Sequence, residues 1–159
     1  MMALMAEFVL TQAPVAYACM IVRTSAGEAF RAFADPAVTS RFWYSKSSGP
    51  MTDGATLRWE WETYGAATDV RVERVEQDRL IRFQWGNYEQ PTTVEIRFTP
   101  HATDATFVEV TESGFHGSGD AAIGWVNDSV GEYTSALCGM KALLEHGIEL
   151  NATGEHHPA

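Results

Sequence analysis

Apolar and polar residues alternate through the middle of the chain. Ile81, Phe83 and Trp85 share one side of a two-residue period, and Val94, Ile96 and Phe98 share another opposite Glu95 and Arg97. Val108 and Val110 repeat the pattern and carry Glu112 with them. Successive side chains of a strand point to opposite faces, so these runs predict strands. Five follow one another, over 55–64, 67–77, 79–86, 91–99 and 104–113. Turn chemistry at 65–67, 77–78, 86–87 and 101–104 divides them. One-sided alternation predicts an antiparallel sheet with one covered face.

A further strand is predicted over 15–24. Ser25 then has the position of a helix N-cap, with Glu28 three residues on. Phe30 and Phe33 share a helical face, Pro36 ends that helix, and a short second helix is predicted over 36–42. The last third changes period. Val126, Val130, Tyr133, Leu137, Met140 and Leu144 recur at steps of three and four, which predicts a long amphipathic helix over 121–146. Asp120 is its expected N-cap and Gly147 its expected stop. At ~1.5 Å per residue such a helix spans roughly 39 Å, enough to cross a small domain. The order is strand, helix pair, strands, long helix, an α+β arrangement in one domain. Residues 1–13 read as an N-terminal extension and 152–159, without apolar period, as a flexible tail.

Several segments resemble a known family. "ADPAVTSRFWYS" (34–45) is similar to the segment after the first helix of START-like, or SRPBCC, proteins. "RWEW" (58–61), "TESGF" (111–115) and "GMKALLEHGIELN" (139–151) resemble the branch homologous to the heat-shock-protein-90 ATPase activator. The resemblance covers roughly 14–151 and implies a helix-grip: a curved antiparallel sheet around a long C-terminal helix, with a cavity between them. It implies no single activity, because the superfamily includes lipid binders, polyketide cyclases, hormone receptors and chaperone activators. Three positions depart from the pattern. Glu112 stands where a histidine often precedes "SGF", and Ser129 and Glu132 replace leucines after Gly124 and Trp125.

Composition narrows the choices. The chain has 159 residues, 45% of them hydrophobic, which suits a domain with its own core. A formal net charge of -10 disfavours nucleic acid and anionic membrane as partners. The two cysteines, Cys19 and Cys138, show no disulfide or zinc spacing and are expected reduced in apolar surroundings. The first ten residues do not read as a secretory signal, and no segment is long enough to span a bilayer; the expected location is the cytoplasm. No cofactor is expected. His156 and His157 are adjacent but do not by themselves make a metal site.

The candidate chemistry is aromatic. Trp59 and Trp61 share one face of a strand, opposite Arg58, Glu60 and Glu62, and could fill a core or line a hollow. A solid small core would be expected to carry leucine and isoleucine rather than tryptophan at these inward positions, which favours a hollow, walled by Trp43, Tyr44, Trp59, Trp61 and Trp85, with Met51 and Phe115 at its rim. Glu112 is expected to point into it. The reading favoured is a binding domain for a small apolar or aromatic ligand. One alternative is a cyclase or hydratase using Glu112 as general acid or base, with His116 as a conceivable partner. Another is a chaperone-activating interaction protein. Gly124, Gly131, Ser135, Cys138, Gly139 and Ala142 lie opposite the apolar stripe of the long helix, a face suited to a homodimer.

Overall fold

A computed structural model describes residues 8–158. Residues 1–7 of the expected N-terminal extension, and Ala159, lie outside the described residues. Strand β1 (Ala16–Val22) leads to helix α1 (Ala26–Ala34) and a single helical turn, α2 (Pro36–Thr39). Strands β2 (Lys46–Ser47), β3 (Thr56–Trp61), β4 (Ala66–Glu76), β5 (Leu80–Trp85), β6 (Thr92–His101) and β7 (Ala105–Ser113) follow. The chain ends with the long helix α3 (Gly119–His146) and a short α4 (Ala152–Glu155). The seven strands form one antiparallel sheet in the order β1-β7-β6-β5-β4-β3-β2. A register shift between Val72 and Arg74 adds a bulge to β4, which bends the strand. This is the α+β helix-grip expected.

The alternation does what it predicted. Val70, Val72, Ile81, Phe83, Val94, Ile96, Phe98, Val108 and Val110 all point into the core. Against them pack Ala29, Ala32 and Phe33 of α1 and Tyr133, Ala136, Leu137, Met140 and Leu143 of α3. Side chains as deeply buried as Leu137 and Met140 each contribute about 1.5–3 kcal/mol.

Several local expectations are corrected. The second helix stops at Thr39 rather than reaching Phe42. Phe42, Trp43 and Tyr44 are all buried in succession, which one face of a helix cannot achieve. The third strand ends at Trp61, because Glu62–Tyr64 form a 3-10 turn closed by Gly65 at φ 61°. The N-cap of α3 is Ser118, whose hydroxyl accepts from the Ala121 N–H at 3.2 Å; Asp120 falls inside the first turn. Val126 and Val130 of the expected stripe are only partly buried, whereas Ser129 is buried. Both cysteines are exposed, Cys19 because it alternates outward next to buried Ala18. Residues of the expected flexible tail form α4. Thr153 is buried there and donates to the Trp43 carbonyl at 2.9 Å. Hydrogen bonds rather than an apolar stripe pin this segment, so periodicity gives no sign of it. No described helix is long and apolar enough to cross a membrane.

The small-residue face of α3 is not uniform. A Cβ on Gly139 would meet Phe42 Cβ at 3.2 Å and its carbonyl oxygen at 3.3 Å, whereas one on Gly124 would meet nothing within 4 Å. Gly139 is thus a packing glycine covered by this chain's own Phe42. Gly124→Ala should stabilise the protein by up to ~1 kcal/mol through helix propensity. Gly139→Ala should lower Tm, because overpacking costs about 1–3 kcal/mol against the same gain. Thermal unfolding of the two variants checks this, and equal effects would contradict the packing role.

Candidate functional site

Three strand ends and α3 meet at one end of the sheet. Trp85 is the last residue of β5 and pairs with Thr92, the first of β6. Glu112, near the end of β7, points inward and is 2% exposed. Its Oε2 accepts from Trp85 Nε1 at 3.0 Å and from Thr92 Oγ1 at 2.5 Å. Its Oε1 accepts from the Tyr133 hydroxyl of α3 at 2.7 Å. Burial, then the charge of Glu112, hold the Tyr133 phenol well above its ordinary pKa, so it stays protonated as the donor. One buried carboxylate thereby ties β5, β6, β7 and α3 together.

Beside this network lies an open cleft of about 650 Å³. One wall is the sheet with the turn after β3: Trp61, Tyr64 of the turn, the small residues Ala66 and Ala67, Thr68, and Trp85 with Gly86. The other is the N-terminal half of α3, where Trp125, Asp128, Ser129 and Glu132 recur at helical spacing. Thr92 and Glu112 reach the cleft, and Thr153, His156 and His157 close one side. The hollow exists because α3 presents Ser129 and Glu132 where large apolar side chains would have filled it. No group of three or more metal-ligating side chains occurs among the described residues, and His156 instead sits against Tyr64.

The aromatic candidates divide into two layers. Trp61 and Trp85 line the cleft. Trp59 and Tyr44, each 1% exposed, lie in the core with their rings 4.7 Å apart. Trp43 is also buried and joins the layers, with ring centroids 5.1 Å from Trp59, 6.4 Å from Trp61, 6.0 Å from Trp85 and 6.1 Å from Tyr133. Edge-to-face pairs of this kind add about 0.5–1.5 kcal/mol each beyond burial. Phe115 packs edge-on against Trp125 at 5.0 Å and is not on the wall; Met51 is buried in the core. His116 approaches Trp125 and the Gln90 carbonyl, not Glu112. Of the two strand neighbours Trp59 and Trp61, one therefore fills core and one lines the hollow.

Glu132 is a cleft residue that the sequence marked only as a departure from a family leucine. Its Oε1 accepts from Trp43 Nε1 at 3.1 Å. Burial raises its pKa, the Trp43 bond opposes this, and the Glu112 charge adds to the rise. Tyr133, Asp128 and Trp125 also escaped notice as site residues. Helical spacing assigns them to faces but cannot say that one face borders empty space.

Tyr133→Phe should cost about 1.5–3 kcal/mol in urea unfolding, the range for a hydrogen bond to a charged group; a loss below ~0.5 kcal/mol would contradict the network. For Glu132 the sign is set by its raised folded-state pKa. Between the unfolded value of ~4.3 and that raised value, the folded protein holds more protons than the unfolded chain. Stability contributed by this group is therefore present below ~4.3 and lost as pH rises through the window. Glu132→Gln should match the parent in acid and exceed its Tm above the window; a difference that does not vary with pH would contradict this.

Comparison with known proteins agrees with this architecture. Residues 23–144 match the family model described as Activator of Hsp90 ATPase homolog 1-like protein. Protein SSP2350 of Staphylococcus saprophyticus is similar in structure at 28% identity and a TM-score of 0.74, over 86% of this chain and 96% of that one. The Aha1 protein of Colwellia psychrerythraea, described as a dimer, superposes with a TM-score of 0.73 at 18% identity, over 84% of this chain and 98% of its own. DynU16, from the dynemicin biosynthetic locus, does so with a TM-score of 0.71 at 22% identity, over 85% of this chain and 48% of its own. At these lower identities the likeness shows the fold. No curated protein sequence matches the chain. With 23–144 matched to the family model and the helix-grip built from the same residues, the chain belongs to the activator of Hsp90 ATPase homolog 1-like family of START-like proteins.

Proposed function

We propose that the protein binds a small apolar or aromatic molecule in the cleft between the β3–β5 end of the sheet and the N-terminal half of α3. The observation that carries this reading is the open volume of about 650 Å³ walled by Trp61, Trp85 and Trp125. That volume falls within the ~300–1,000 Å³ typical of ligand sites. The Glu112 network favours a preformed site, since it braces the wall without a ligand.

A second reading, chemistry at Glu112, is favoured by one observation: its carboxylate reaches the cleft beside a phenol. Three protein donors already occupy its two oxygens, and a carboxylate has about four lone-pair sites. That leaves little capacity for a substrate proton, so Glu112 fits a bracing role better than a general base. Chaperone contact is supported by the family's name and by likeness of fold to the Aha1 protein of Colwellia psychrerythraea, and by no feature of the site. A homodimer is compatible with the likeness of fold to the Aha1 dimer, although Gly139 on the small-residue face of α3 is covered by Phe42 of the same chain.

Intrinsic fluorescence tests the binding reading, with 1-naphthalenemethanol as a neutral aromatic probe. A saturable change is expected, and Trp61→Ala should weaken the probe about tenfold, or ~1.4 kcal/mol. A strictly linear response up to the solubility limit of the probe would contradict it.

A further inference from the structure

The charge of the cleft is one-sided. Glu112, Asp128 and Glu132 line it, and no Lys or Arg does. Its basic groups are His156 and His157, of which His156 acts against Glu132. The same walls carry Trp61, Trp85, Trp125 and Tyr64. Ring faces attract cations by about 0.5–2 kcal/mol, more when water is excluded.

The two glutamates differ in what they still need. Glu112 is satisfied by three donors of the chain itself. Glu132 accepts one hydrogen bond, from Trp43, and its second oxygen has no protein donor among the described residues. Glu132 is half-buried at the cleft wall, and partial burial together with the neighbouring Glu112 charge disfavours its ionised form. His156 on the cleft wall favours the Glu132 charge from one side, and the second carboxylate oxygen is left open to a cation arriving from the cleft.

Resting on the cleft as the binding site, we propose that it selects ligands with a positive charge on an aromatic or apolar body. The class is an organic ammonium, with Glu132 as its counter-charge and the tryptophan faces around it. Glu112 and Asp128 add negative potential, and the net charge of -10 steers cations inward. Anionic ligands of the same shape are rejected, because a carboxylate or sulfonate would lie against Glu132 without a cation between them.

Three probes with one naphthalene body separate charge from shape: (1-naphthylmethyl)trimethylammonium, 1-naphthalenemethanol and 1-naphthylacetate. Calorimetric titration should rank the cation at least ~tenfold tighter than the alcohol, and the acetate weakest, at low salt. Glu132→Gln should narrow the preference for the cation over the alcohol about tenfold, and saturable binding of the alcohol by that variant reports an intact cleft. Asp128→Asn should act in the same direction and more weakly, an independent check at a second cleft carboxylate. If the alcohol binds as tightly as the cation, or if neither substitution narrows the gap, charge selection is wrong and the aromatic cleft stands. If none of the three binds saturably, both the selection and the cleft reading fall.

Discussion

A single buried carboxylate holds this fold in its particular shape. Glu112 sits at the end of β7 with donors from β5, β6 and α3 on its two oxygens. Burying it is tolerable only with those partners, since removing one member of such a set leaves a charge uncompensated. The partners come from elements distant in the chain, so satisfying Glu112 also sets the spacing between sheet and helix. That spacing is what keeps the cleft from closing over Trp61 and Trp85.

The aromatic residues translate this constraint into a wall. Trp43 touches both layers, Trp59 and Tyr44 behind it and Trp61 and Trp85 before it. Its position depends on the chain leaving α2 early and on α4 docking through Thr153 to its carbonyl. Its indole N–H then reaches Glu132 across the gap to α3. The core and the candidate site therefore share residues, and Trp43 is the member that couples them.

Much of this was readable in the sequence, and the exceptions have one cause. Alternation in β5, β6 and β7 placed their inward residues correctly, Glu112 included, because one covered face leaves a two-residue signature. The segments at 34–45, 58–61, 111–115 and 139–151 pointed to the family that the chain belongs to. What the period left open was what lies opposite a face: Trp59 and Trp61 share one, yet Trp59 fills core and Trp61 lines the cleft. Val126 and Val130 kept the apolar period of α3, yet they border the half of the helix that has little packed beneath it. Gly139 belongs by period to the small-residue face of α3, yet Phe42 packs against it. The segment ending in Thr153 offered no periodicity because hydrogen bonds hold it. Periodicity identifies the direction of a side chain; long-range contact decides whether it meets a core, a cavity or solvent.

The division of the aromatic residues into a core layer and a cleft wall is the claim on which the functional reading turns. The indole N–H signals of the five tryptophans in a ¹H–¹⁵N spectrum resolve it directly. With saturating neutral naphthalene probe, the Trp61 and Trp125 signals should shift, while that of Trp59, 1% exposed behind the wall, should stay in place. A shift of Trp59 as large as that of Trp61, or no shift in Trp61 and Trp125, would contradict the account.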